Sequence, residues 1–327
     1  MTTTKCTFAS DEQKIQARYF EEHLKDRVGH RGRMFQLRPE HRLDGPLPAI
    51  REPASDIFEA LKIRWHPFVG HARSSQACCV NFLMPMANRP EILKRWLGEV
   101  LGAAPRDVLP IEDVAATPYR YVAFEYTGPD GQDYLGEADG KIPPRGALAT
   151  ASDAAVAFIG PDYRRELLLI EWKYSEEYRH HRLSPDPKGK RHSRYGDRTF
   201  APDGPIRADL NLQFSDFLRE PFYQLLRQQL LAWQVERGTD FDRVRVLHLS
   251  PTGNRALHHV TSPAFRELGG VQQTDALAAF RSTLVDPETF LQWSTETVFA
   301  CLAEWEDVDW FGALAERYPT LCLTKTV

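Results

Sequence analysis

Ser152-Asp153-Ala154-Ala155-Val156-Ala157-Phe158-Ile159, a break at Gly160-Pro161-Asp162, and then Glu166-Leu167-Leu168-Leu169-Ile170-Glu171-Trp172-Lys173-Tyr174 decide how this chain of 327 residues folds. The first run predicts a strand over 152–159 and the second a strand over 166–174. Leu167 to Ile170 is continuously apolar, as in a central strand buried on both faces. Alternate residues of a strand share a face, so Leu169, Glu171 and Lys173 point one way and Ile170 and Trp172 the other. An antiparallel turn at 160–162 brings the start of the first strand to the end of the second and makes Asp153 and Glu171 neighbours. Two buried carboxylates are costly unless something neutralises them. A Mg²⁺ ion does so with hard oxygen ligands while keeping waters for chemistry, and Lys173 on the same face can orient an attacking water or stabilise charge on a phosphate. Glu-x-Lys alone is common as a solvated pair at a strand end. The apolar run before it, the aspartate one hairpin upstream and the helix-then-strand that follows favour a site.

Outward from this hairpin, Tyr119 to Tyr126 reads as a strand, Gly128-Pro129-Asp130-Gly131 as a turn and Gln132 to Leu135 as a return strand. Upstream, helical spacing is expected over 10–28 (Ile15, Tyr19, Phe20, Leu24), over 56–63, and from Pro90 to Gly102 with Ile92, Trp96, Leu97 and Val100 as its stripe. The apolar segment 76–86 is expected to be a buried strand or loop. Downstream, 179–207 reads as a long polar loop, 216–237 as a helix closed by Gly238, Arg243 to Ser250 as a strand, and 262–320 as mostly helical. These elements predict an α/β core with a mixed central sheet flanked by helices, carrying helical extensions: 1–88, core 89–260, and 261–327, joined in one compact domain with no linker.

Three strings, Ser152-Asp153-Ala154-Ala155-Val156, Leu169-Ile170-Glu171-Trp172-Lys173-Tyr174 and Pro221-Phe222-Tyr223-Gln224-Leu225-Leu226-Arg227-Gln228-Gln229, resemble the PD-(D/E)XK nuclease superfamily and a bacterial family described as restriction endonucleases. The resemblance covers about 119–250. It implies a restriction-endonuclease-like core and a Mg²⁺-dependent endonuclease, with Mn²⁺ able to substitute. It implies Asp153 and Glu171 as metal ligands, the backbone carbonyl of Trp172 as a third, and Lys173 as the catalytic lysine. Ser152 stands where the superfamily motif has proline, which removes no ligand. Many members add an acidic residue from upstream, for which Glu137 and Glu99 are candidates. Gln224 and Gln228 share a helix face and are candidates for the polar helix residue such nucleases place beside the metal.

The basic loop supports the same reading. Residues 179–198 carry Arg179, Arg182, Lys188, Lys190, Arg191, Arg194 and Arg198 against only Asp186 and Asp197, an excess of five positive charges directly after the catalytic strand. Phosphate binding is the natural use of such a patch, and the first six are expected to contact nucleic acid, DNA above all. A second basic cluster runs from His30 to Arg42. The whole chain carries −4, so any nucleic-acid surface must be local. His180, His181 and His192 match no common zinc spacing. No GxSxG elbow, Walker A loop or GxGxxG is present, which removes support for serine hydrolase, NTPase and dinucleotide enzymes. Five cysteines without a CxxC pair, no apolar leader and no long apolar run predict a cytoplasmic chain with reduced thiols that avoids membranes. A homodimer that cuts both strands, and a non-catalytic nucleic-acid-binding protein on the same fold, both stay open.

Overall fold

β6 (Arg165–Trp172) sits in the middle of a six-stranded sheet because its side chains are apolar on both faces. A computed structural model describes residues 7–112, 117–146, 149–178, 183 and 188–322. Arg179, Arg182, His180, His181 and Asp186 lie outside the described residues. In chain order the elements are α1 (Phe8–His23), the hairpin β1 (Val28–His30) and β2 (Arg33–Leu37), α2 (Pro48–Ala60), α3 (Ser75–Leu83) and α4 (Pro90–Leu101). Then come β3 (Asp107–Leu109), β4 (Ala123–Tyr126), β5 (Ser152–Ile159), β6, the single turn α5 (Asp197–Thr199), α6 (Phe222–Gly238) and β7 (Arg243–Ser250). The small hairpin β8 (Glu267–Leu268) and β9 (Val271–Gln272), α7 (Ala276–Arg281), β10 (Phe290–Ser294), α8 (Thr295–Ala303) and α9 (Phe311–Arg317) complete it.

β5 and β6 pair antiparallel, from Ile159 opposite Arg165 to Ala154 opposite Ile170. Pro161 has no N–H and cannot extend the ladder, and Gly160 closes the turn by donating to the Arg164 carbonyl at 2.8 Å. α6 carries the chain back across the sheet, so β7 runs parallel to β6, with Glu171 opposite His248. β10 adds parallel to β7. On the other side β4 pairs with the first half of β5 and β3 with its second half. The sheet is mixed and helices flank it, as the sequence predicts.

Strand alternation assigns two cores. Val156, Phe158, Leu168, Ile170, Trp172, Leu247 and Leu249 face Phe58, Phe82, Trp96, Phe299 and Leu314. Ala155, Ala157, Leu167, Leu169, Val244 and Val246 face Phe222, Leu226, Leu230 and Phe280. Each fully buried valine, leucine, isoleucine or phenylalanine among them stabilises by about 1.5–3 kcal/mol. The first core draws on residues from Leu47 to Leu321. A small third cluster, Phe20, Leu24, Val28, Leu37 and Ala72, fastens the β1–β2 hairpin to α1.

Several local expectations change. Segment 76–86 is helix α3 and a following 3₁₀ turn, with every α3 residue but Ser75 buried; a segment apolar all round carries no period that separates helix from strand. Gln132 to Leu135 forms no strand, and β4 starts only at Ala123. The polar loop contains a π-helical turn over His192–Gly196. The C-terminal stretch contributes an edge strand, β10, besides its helices. Among the described residues no helix is long and apolar enough to cross a membrane.

Candidate functional site

Glu171 and Lys173 leave the centre of the sheet on the α6 side, in line with Leu167 and Leu169. Glu171 is 3% exposed and Lys173 9%, so the carboxylate must find donors inside the protein. It has three. Lys173 Nζ lies 2.6 Å from Oε1, Gln224 Nε2 donates to Oε1 at 2.8 Å, and Gln228 Nε2 donates to Oε2 at 2.6 Å. One helical turn separates the two glutamines, which is why both reach one carboxylate. Tyr178 donates to Gln224 Oε1 at 3.1 Å and so fixes which end of that amide faces Glu171. Gln228 Nε2 also donates to the Ala151 carbonyl at 2.8 Å, tying the entry of β5 to the same point.

Asp153 opens β5 and its Oδ2 accepts the Trp172 backbone N–H at 2.6 Å. Burial pushes its carboxyl well above the usual range, Glu171 and Glu125 add to this, and Lys173 and the Trp172 N–H oppose it. Burial works against the Lys173 ammonium too, but Glu171, Tyr178, Glu176 and Asp153 outweigh it and hold the amine protonated. The structure thus brings together Asp153, Glu171, Lys173, Gln224 and Gln228.

A third carboxylate, Glu125 on β4, joins them. Burial first, and Glu171 among its neighbours, push it up to about 7, while the Gln76 hydrogen bond, Arg145 and Lys173 pull the other way. Glu125 has φ +47°, a left-handed backbone that costs a glutamate on the order of 1 kcal/mol. Gln76 on α3 donates to its side chain. Arg145 donates to the Phe124 carbonyl, to the Glu125 carbonyl at 3.3 Å and to Glu112 at 2.6 Å. Sequence reasoning missed Glu125; the available signal was one acidic residue inside the apolar run Ala123-Phe124-Glu125-Tyr126. His248 was missed as well. It is opposite Glu171 on β7, and burial, then Lys173, push it down to about 3, so it is a neutral imidazole. Its Nδ1 is buried without a partner among the described residues. Nearby, Ser250 lies 3.3 Å from His258 Nε2, and His258 Nδ1 lies 2.7 Å from Asp275. Ser250 is 2% exposed and Asp275 also caps α7 through the Ala278 N–H, so this trio fastens the end of β7 to α7.

The upstream acids expected beside the carboxylates are placed elsewhere. Glu137 accepts from the Thr150 N–H, from Thr150 Oγ1 at 2.7 Å and from the Tyr195 hydroxyl. It binds the entry of β5 to the π-helical turn. Glu99 is exposed on α4.

Of the basic loop, Lys188 and Lys190 are exposed and Arg191 and Arg194 half-buried. Arg191 lies 5.8 Å over the ring of Tyr223, and Arg227 lies 4.9 Å from the same ring. Tyr223 immediately precedes Gln224, so this basic cluster packs on the first turn of α6, one residue from the clamp on Glu171. Arg194 is 3.7 Å from Asp139 and donates to the Glu137 carbonyl at 3.4 Å.

Residues 9–319 match the model of a family described as "Restriction Endonuclease associating with ARP". No curated protein and no solved structure matches the chain.

Proposed function

The chain belongs to the family Restriction Endonuclease associating with ARP, and from that premise we propose that it hydrolyses phosphodiester bonds in DNA with a divalent cation, in the manner of PD-(D/E)XK nucleases. The observation that carries this reading is the meeting of Asp153, Glu171 and Lys173 at the end of one buried strand, with Gln224 and Gln228 clamping Glu171.

The donor set suits Mg²⁺ or Mn²⁺. Three carboxylates share a buried space, and two of them are pushed up by burial and mutual repulsion, a cost that a cation removes. Asp153 spends Oδ2 on the Trp172 N–H. Asp153, Glu171 and the Trp172 carbonyl would hold the ion, with Glu125 close behind. Bound there, it supplies charge neutralisation and Lewis acidity at the scissile phosphate.

The protein's own groups do the rest. Lys173 carries a fixed positive charge able to hold the attacking water or a phosphate oxygen. Gln224 and Gln228 keep Glu171 oriented, and supporting residues of this kind typically matter about 10- to 100-fold in metal affinity. Lys188, Lys190, Arg191 and Arg194, with Arg179 and Arg182, would hold the backbone.

One observation favours the alternative of a non-catalytic DNA-binding protein. Both Glu171 oxygens already accept from protein donors, and among the described residues no three His, Cys, Asp or Glu side chains stand at ready metal spacing. Incubating plasmid and linear DNA with the protein and Mg²⁺, Mn²⁺ or EDTA separates the two. Metal-dependent cutting supports the nuclease; gel retardation without cutting, in the presence of either metal, supports the binding protein. The family description names ARP, so that partner is to be added in a parallel arm.

A further inference from the structure

The basic segment His30 to Arg42 folds into a feature the catalytic centre does not use. β1 and β2 pair antiparallel, with His30 opposite Arg33 across the two-residue turn Arg31-Gly32. Both turn residues have positive φ, +51° and +72°, the combination a type I′ hairpin turn requires. Asn or Gly ordinarily fills the first of these positions, since a larger side chain there is strained. Here it is arginine. Strain of this sort is kept where the side chain has a use.

Arg31, Gly32, Arg33 and Met34 are all exposed. Among the described residues neither Arg31 nor Arg33 has an ion-pair partner. At the base the opposite holds: Arg27 and His41 both reach Asp44, at 3.1 and 3.2 Å. The base is also held firmly. Val28 and Leu37 are buried with Phe20, Leu24 and Ala72, and the outer edge of β2 is paired through Leu37 N–H to the Gly70 carbonyl and Ala72 N–H to the Phe35 carbonyl, both at 2.9 Å. An anchored ribbon thus carries unpaired arginines at its tip.

Its place matters. The segment that pairs with β2 ends at Ala72 and runs into α3, where Gln76 donates to Glu125. Four residues of chain span at most about 14 Å, so the segment that anchors the ribbon is joined through a short stretch of chain to the residue that touches Glu125. Two strands about 5 Å apart fit the major groove of B-DNA, about 12 Å wide.

We propose that the β1–β2 hairpin is a second DNA-contacting element, an arginine-tipped ribbon that enters a groove of duplex DNA beside the cleaved phosphate. This rests on the nuclease reading for its choice of polymer. Arg31 and Arg33 contact phosphates or base edges, and the basic turn on α6 holds the backbone.

The test is binding of a short fluorescently labelled DNA duplex to the full chain in EDTA across a salt series, comparing wild type with Arg31→Asn, Arg33→Ser and the pair together. Arg31→Asn suits the turn, so the fold is kept, and a thermal melt checks this. The double variant should bind about tenfold more weakly, with a slope of log K against log salt shallower by about 2, roughly 0.9 for each phosphate no longer neutralised. An unchanged affinity and slope overturns the proposal, as does a wild type that does not bind the duplex. If the hairpin variants weaken binding but wild type cuts no DNA with Mg²⁺ or Mn²⁺, the nuclease reading fails while the ribbon stands as a DNA-binding element.

Discussion

Gln228 touches two strands with one amide: its Nε2 lies 2.6 Å from Glu171 Oε2 on β6 and 2.8 Å from the Ala151 carbonyl at the entry of β5. Asp153 follows Ala151 by two residues, so α6 sets the separation of the two carboxylates through a side chain 3% exposed. Replacing Gln228 by leucine keeps the volume and removes both hydrogen bonds. A hydrogen bond to a buried charge contributes about 1.5–3 kcal/mol, so Gln228→Leu should lower stability by about that much. Titration calorimetry with Mn²⁺ should show metal binding weakened about 10- to 100-fold. Unchanged stability and metal affinity would mean that Gln228 only fills space.

Lys173→Met separates the roles of the lysine. In metal-free protein it leaves Glu171 buried beside Asp153 and Glu125 without its cation, and breaking a buried ion pair costs about 3–5 kcal/mol. Mn²⁺ should offset that loss, because the variant site is more negative by one charge. Thermal melts should therefore show a larger Mn²⁺-induced stabilisation in Lys173→Met than in wild type, together with loss of cutting. A smaller stabilisation than wild type would contradict the placing of the ion at Glu171.

The raised carboxyl of Glu125 gives a pH prediction with a fixed sign. Its ordinary value is 4.5 and in the fold it is about 7. Between these values the folded protein holds the proton more tightly than the unfolded chain. That stabilisation is fully present below pH 4.5 and is lost as pH rises toward 7. The loss amounts to about 3 kcal/mol at 1.36 kcal/mol per pH unit. His248 and His71, pushed down to about 3 and about 4, act in the opposite direction up to their ordinary value of 6.5. The comparison must therefore be wild type against Glu125→Gln in metal-free buffer. The variant should gain on wild type steadily from pH 4.5 to 7. A difference that stays flat would show that Glu125 is ionised throughout.

Much of this arrangement is legible in the residues. The hairpin of β5 and β6 follows from an apolar run broken by Gly160-Pro161-Asp162, and alternation alone places Glu171 and Lys173 on one face. α6 starts at Phe222, six residues after the expected 216, and ends within one residue of the expected position, while β7 has the expected bounds Arg243–Ser250. Other parts are hidden for physical reasons. α3 is buried all round, so no stripe marks it. β10 has five residues in a helix-rich stretch and acquires its identity by pairing with β7. Glu125 reaches the cluster through a left-handed backbone angle that strand alternation does not foresee. Glu137 has the right charge, but Thr150 and Tyr195 claim it, a meeting of loops that no local pattern encodes.

The most direct test of a metal-dependent nuclease centred on Asp153, Glu171 and Lys173 is cleavage of plasmid DNA by wild type, Lys173→Ala and Asp153→Ala with Mg²⁺, Mn²⁺ or EDTA. Wild type should cut only when metal is present. Each variant should lose activity by about a hundred- to a thousandfold, the scale of removing an electrostatic stabiliser from a catalytic centre. Cutting that survives EDTA, or that persists in both variants, would contradict this assignment of the site.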